Sequence, residues 1–140
     1  MILNIKVIVN SAKKEDITMN SEETYCQQDT CELLIGLGKN LDKYKKGTIY
    51  VYPLSWAAKW LREEKNLHIM PDVVSNFKYY FNIRNTKTGL YLFDSTTDYP
   101  EENIGIFYTY EGALEDGIKC CCIYYDSFIK QLEEYESFYS

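Results

Sequence analysis

The chain is poor in the residues that most often carry chemistry. His68 is the only histidine among 140 residues. A catalytic imidazole needs a nucleophile to activate and a carboxylate to orient it, and nothing in the sequence nominates either. Phosphate-cradling loops are missing: neither G-x-x-x-x-G-K-[ST] nor G-x-G-x-x-G occurs, so nucleotide binding has no support. There is no G-x-S-x-G nucleophile elbow. No apolar run is long enough to cross a bilayer as a helix. The apolar start, Met1 to Asn10, lacks the basic leader and long apolar block of a signal peptide. Internal repeats and low-complexity segments are absent.

Cysteine is present, but in an arrangement that excludes its usual structural uses. The five residues are Cys26, Cys31, Cys120, Cys121 and Cys122. An odd number with three in succession is a poor disulfide framework and suits a reducing cytosol. Neighbours on a helix point about 100° apart, so the consecutive three cannot converge on one ion. Structural zinc sites use matched C-x₂₋₄-C pairs; Cys26 and Cys31 are five apart and have no matching partner pair. Small buried packing residues are the better reading. No metal and no cofactor is expected.

What the chain does have is a core. Hydrophobic residues make up 46% and aromatics 16%, with 14 tyrosines, a composition that folds rather than staying disordered. The length is that of one domain, residues 1–140. The net charge of −6 is uneven, with residues 1–90 at +3 and residues 91–140 at −9. An acidic C-terminal third argues against contact with phosphates there, because nucleic-acid affinity rests on Lys and Arg.

Alternation at Leu3, Ile5, Val7 and Val9 reads as a strand, followed by a polar loop over 10–24. A helix is expected from Gln27 to Leu37, with Cys31, Leu34 and Ile35 on one face and Gly38 at its end. Lys39 to Lys46 is a charged connection and Thr48 to Tyr52 a strand. Pro53 opens a helix to Glu64 whose apolar side holds Ala57, Trp60, Leu61 and Trp56. Trp56 and Trp60 are assigned to the core. Leu67 to Met70 is a short strand ended by Pro71. Lys78 to Arg84 and Leu90 to Asp94 form a hairpin around Asn85-Thr86-Lys87-Thr88-Gly89. A loop over 95–103 leads to a strand at Ile104 to Tyr108. A last helix starts on Thr109, carries the stripe Leu114, Ile118, Cys121, Tyr125, Phe128 and Leu132, and frays from Tyr135. Gly117 in that helix is read as a close-packing point against the sheet. The order predicts an α+β protein: a mostly antiparallel sheet of three to five strands with two or three helices on one face.

Two surfaces are candidates for binding. The first is acidic: Glu111, Glu115, Asp116, Glu133 and Glu134, read as surface charges that could meet a basic partner. The second mixes bases and aromatics: Lys43, Tyr44, Lys45 and Lys46, with Lys39, Tyr50 and Tyr52 nearby, a composition that can hold single-stranded nucleic acid. For both, a solvated face is the plainer reading. No catalytic residue is nominated.

Leu54-Ser55-Trp56-Ala57-Ala58-Lys59-Trp60-Leu61-Arg62-Glu63-Glu64-Lys65-Asn66-Leu67-His68-Ile69 and Thr109-Tyr110-Glu111-Gly112-Ala113-Leu114-Glu115-Asp116-Gly117-Ile118-Lys119 together resemble the "LS-x-A-x-KWLRE" and "TYE-E-AL-E-x-GI-K" segments of small proteins encoded by phages, prophages and mobile elements of gut bacteria. Glu32-Leu33-Leu34 and Gly38 fit the same proteins' "K-LL-x-x-x-G" segment. The likeness covers most of residues 25–123. Gly112 departs from it, standing where those proteins have a Glu that would complete a capping box with Thr109, and the chain continues past their usual end near Tyr124. The resemblance implies an uncharacterised phage or prophage protein and carries no activity or site residue with it.

The resulting expectation is a non-enzymatic accessory protein in the cytoplasm of a bacterial host, monomer or homodimer, binding a macromolecule, a protein sooner than a nucleic acid. The first alternative is a nucleic-acid-binding module, since helix, three strands, helix is also the order of a double-stranded-RNA-binding domain; that is fold analogy, and here the helix begins Thr-Tyr-Glu. The second is a small enzyme without a recognisable motif.

Overall fold

The computed structural model describes residues 23–38, 45–47, 49–101 and 104–139. The expected strand at Leu3–Val9, most of the 10–24 loop, Lys39, Lys43 and Tyr44 lie outside the described residues. The elements are α1 (Gln28–Gly36), β1 (Lys45–Lys46), β2 (Ile49–Tyr50), α2 (Leu54–Glu64), β3 (Leu67–Ser75), β4 (Lys78–Asn85), β5 (Tyr91–Asp94), α3 (Tyr110–Ile123) and α4 (Tyr125–Tyr139). β3, β4 and β5 form an antiparallel sheet in that order, and β1 and β2 a separate two-stranded hairpin. The protein is α+β, with helices packed on the sheet, as its sequence predicts.

α2 follows an extended Pro53 and buries Leu54, Ala57 and Leu61, the i, i+3, i+7 stripe of a helix with one face on the core. Its end is set by Asn66, whose φ of 58° is the left-handed conformation that asparagine tolerates after a helix. The chain turns there directly into β3.

β3 does not stop at Pro71. It continues to Ser75, and Pro71 sits opposite Phe81 in the ladder. A proline is compatible with this position because β3 is an edge strand among the described residues and needs no N–H on its outer side. The β3–β4 turn is a two-residue loop, Asn76-Phe77, with φ of 34° and 62°. Both central residues at positive φ is the primed-turn geometry that matches strand twist, usually written Asn-Gly. A phenylalanine in the second place hides that signal from the sequence, and its ring is 88% exposed.

The β4–β5 turn is organised by Asn85. Its Oδ1 accepts from the backbone N–H groups of Lys87 and Thr88, at 3.0 and 2.9 Å, and from the Thr88 hydroxyl. Of the strand expected at Ile104–Tyr108, only one antiparallel bridge forms, Tyr79 with Phe107, closed by two backbone bonds of 2.7 and 2.8 Å.

α3 is capped by Thr109, whose Oγ1 accepts from the Gly112 N–H at 2.9 Å. Leu114, Ile118 and Cys121 are buried as the stripe requires. The expected single helix is divided at Tyr124, whose φ of −104° and ψ of 16° leave the helical region. The stripe continues on α4 as half-buried Tyr125, buried Phe128 and half-buried Leu132. Helical structure also runs through Tyr139, past the point where fraying is expected from the sequence. Phe93 of β5 stacks on Tyr124 at 5.8 Å and lies 6.3 Å from Phe128, which ties the second helix to the sheet.

α3 crosses the sheet at Gly117, the close-packing point inferred from the sequence. A Cβ there would lie 2.5 Å from Ile69 Cγ2 and 3.4 Å from Phe81 Cδ1. Ile69 and Phe81 are both core residues on rigid strands, so neither yields easily. Gly117→Ala is therefore expected to destabilise the protein by about 1–3 kcal/mol in urea unfolding, despite the better helix propensity of alanine. Phe77→Gly is expected to stabilise it by about 1 kcal/mol, since it removes a left-handed β-carbon and an exposed ring with no packing to lose. An unchanged midpoint for the first, or a lowered one for the second, contradicts these contacts.

Candidate functional site

The acidic residues singled out from the sequence do not form one surface. Glu111 is exposed in the first turn of α3, and Glu133 and Glu134 are exposed on α4. Asp116 is half-buried and accepts the Tyr99 hydroxyl. Glu115 is no surface charge at all: it is 5% exposed. Its Oε2 accepts from the Thr30 hydroxyl and, at 3.1 Å, from the Gln27 N–H. Gln27 is the N-cap residue of α1 and offers no capping side chain of its own. Glu115 supplies that cap from α3, four residues before Lys119, which bonds Gln27 Oε1 at 3.1 Å and Asp29 at 3.2 Å. The Glu115 Oε1 is buried without a partner. Glu115 is thus a tie between two helices, and nothing in its sequence context of Leu114 and Asp116 shows this.

The basic and aromatic patch is partly described. Lys45 and Lys46 pair with Tyr50 and Ile49 in the β1–β2 hairpin. That hairpin docks on α1 through Gln28, whose side chain bonds both the N–H and the carbonyl of Tyr50.

Cys26, Cys31, Cys120 and Cys121 are buried and Cys122 is half-buried, all unbridged. Burial pushes Cys120 and Cys121 up and takes Cys122 to about 12. Burial, then Cys31 and Glu115, raises Cys26. Among the described residues no three His, Cys, Asp or Glu side chains gather as a metal site would need. A small cavity of about 250 Å³ is lined by Tyr99, Asp116, Lys119 and Cys120, among others, but His68 is not in it. Burial, then the bond to Asp116, raises the Tyr99 phenol out of reach as an acid or base near neutral pH.

The strand register points instead to a face that sequence reasoning passed over. Leu67 and Ile69 of β3 and Phe81 and Ile83 of β4 are buried on the α3 side. Period-two alternation sends His68, Met70 and Asp72, and Tyr80, Asn82 and Arg84, to the opposite side. They meet as direct pairs: His68 with Arg84, Met70 with Asn82, Asp72 with Tyr80. β5 adds Asp94 beside Asn82 and Tyr91 beside Arg84. The Arg84 guanidinium lies 4.2 Å from the centre of the Tyr91 ring, a cation–π contact on a ring that is 58% exposed.

Two polar atoms on this face are unsatisfied. Asn82 is 7% exposed and its Oδ1 has no hydrogen-bond partner. Arg84 Nε is buried and likewise has none. Such atoms are rare in folded proteins because each carries a desolvation cost without a bond to offset it. Burial, followed by the fields of Arg62 and Arg84, lowers the His68 pKa and keeps the ring neutral at physiological pH. Around the β5 edge the face opens into a groove of about 540 Å³, lined by Tyr91, Phe93, Asp94, Asp98, Tyr124 and Phe128 among others. The signal in the sequence was the polar half of β4, Tyr80-x-Asn82-x-Arg84, interleaved with the core residues.

Comparison with protein families, with curated proteins and with solved structures gives no match.

The Glu115 tie carries a pH dependence. Burial outweighs its two hydrogen bonds and holds the carboxyl above its ordinary 4.5. The folded state then binds the proton more tightly than the unfolded state. Its contribution to stability is present below 4.5 and is lost as pH rises towards the folded pKa. Subtracting the urea-unfolding free energy of Glu115→Gln, which keeps an acceptor oxygen, from that of the native protein gives a difference that falls with pH across this window. A difference that rises with pH there contradicts the buried, destabilised carboxylate.

Proposed function

We propose that the protein is a non-enzymatic binding protein of a phage or mobile element, acting on a protein partner in the cytoplasm of a bacterial host cell. The observation that carries this reading is the unpaired polar face of the β3–β4–β5 sheet. A buried asparagine oxygen and a buried arginine nitrogen without partners are costly in an isolated protein and are satisfied when a partner completes the bonds. Exposed aromatic and arginine side chains at one place are the composition of interface hot spots, and Tyr91 and Arg84 are stacked there. The cytoplasmic placement rests on five unbridged thiols, and the phage origin rests on the sequence resemblance.

A protein partner is favoured over nucleic acid on charge. The chain is at −6, and Asp72 and Asp94 sit on the same sheet face as Arg84. A phosphate backbone would meet Asp94, opposite Asn82 and two residues from Arg84, and Asp72, opposite Tyr80 and four residues from it.

The test is affinity capture from host lysate, with and without nuclease, using the full chain, a sheet-face variant (Arg84→Glu with Tyr91→Ala) and an α4 variant (Glu133→Lys with Glu134→Lys). The expected outcome is a nuclease-resistant protein retained by the α4 variant and reduced about tenfold or more by the sheet-face variant. Capture that vanishes with nuclease, or that is lost only with the α4 variant, contradicts the reading.

A further inference from the structure

We infer that the sheet face holds a carboxylate-recognition site, in which Arg84, with Asn82, His68 and Arg62 around it, takes an acidic side chain of the partner. This rests on the binding-protein reading above and names the chemistry of what is bound.

The argument starts from what Arg84 lacks. Among the described residues it makes no ion pair, its Nε is buried without a hydrogen-bond partner, and its guanidinium lies over the Tyr91 ring. A guanidinium is rigid, always charged and presents its donors as a fork that matches a carboxylate. Stacking on Tyr91 fixes the plane of that fork in advance, so little freedom is lost when a carboxylate arrives. Arg62, in the last turn of α2, likewise makes no ion pair among the described residues. Its field and that of Arg84 both reach His68, the direct cross-strand neighbour of Arg84. Two cations that make no ion pair among the described residues therefore bear on one imidazole.

Asn82 is the second, independent sign. It is more than nine-tenths buried on the same face, two residues from Arg84, and its Oδ1 has no hydrogen-bond partner. The Oδ1 accepts, so it is completed by an N–H of the partner segment that carries the carboxylate and not by the carboxylate itself. Asp94 lies directly beside Asn82 and Asp72 beside Tyr80. Those two acids bound the cationic spot on the β5 and hairpin sides and limit it to a single charge. They fit a monoanionic carboxylate and oppose a phosphate dianion or a polyphosphate track.

The test uses His68 as an internal reporter, since it is the only histidine and its ring proton resonances are unambiguous. Its titration is followed by NMR on the full chain with hexaglutamate peptide, with inorganic phosphate, and with sodium chloride at matched ionic strength. The groups that set its free value are Arg62 from α2, Arg84 from β4 and its own burial. A carboxylate bound between them is expected to raise the His68 pKa by about one unit. Arg84→Gln is expected to abolish that rise while leaving the thermal midpoint within a few degrees of the native protein. A rise with hexaglutamate no larger than with sodium chloride overturns the site. So does a rise with phosphate alone, or one that survives Arg84→Gln. If hexaglutamate fails here while the sheet-face variant still loses its captured partner, the carboxylate assignment falls and the binding-protein reading stands.

Discussion

The contact on which this fold depends is the approach of α3 to the sheet at Gly117. With a hydrogen in place of a side chain, the helix backbone comes within reach of Ile69 and Phe81, closer than any β-carbon could. The approach sets the depth of α3 and with it the neighbours that α3 carries. Ala113, Leu114, Ile118 and Cys121 are pressed into the same core as Leu61 of α2 and Leu67 of β3. Glu115, on the same helix, is brought under α1, where it closes the helix terminus that Gln27 leaves uncapped. A helix standing one methyl further out would lose the dispersion contacts of its whole stripe.

That one-sided packing has a consequence for the other face of the sheet. In an antiparallel sheet with helices on one side, alternation sorts side chains into a core set and an outward set. Here the outward set is not a row of solvated charges. It holds an asparagine that is nearly buried and an arginine whose Nε is unpaired, beside an exposed tyrosine. Sheet edges next to it are blunted by Pro71 on β3 and by the shortness of β5, which are features that oppose indiscriminate strand pairing. Val73, Val74 and Phe77, exposed apolar residues of this sheet and its turn, lie at the tip of the β3–β4 hairpin.

Much of this was legible in the sequence. α2, β4, β5 and the start of α3 follow from period and punctuation: Pro53, the Asn85–Gly89 turn and the Thr109 cap each act as their chemistry directs. The close-packing role of Gly117 was legible as well. The misreadings have physical causes. Pro71 reads as a strand end because proline cannot donate to a ladder, yet β3 is an edge strand among the described residues and no ladder bond there calls for its N–H. Asn76-Phe77 conceals a hairpin because the left-handed position is filled by an aromatic residue and not by glycine. Tyr124 breaks a helix whose apolar stripe runs on without a break, so period alone joins α3 to α4. Glu115 looks like its charged neighbours because burial comes from α1, more than 80 residues away in the chain. The sheet face was hidden for a related reason: which of two alternating sets lies outward is decided by where the helices pack, and only register brings His68, Asn82, Arg84 and Tyr91 together.

We propose that α3 closes one face of the sheet and that the opposite face receives a partner. Carbethoxylation of His68 reads that most directly, because the reagent attacks neutral imidazole and the chain has only one. His68 in the free protein should be modified, and the same residue should be protected once the captured partner is bound. Failure to modify it in the free chain, or equal modification with the partner in place, would show that this face is not where recognition occurs.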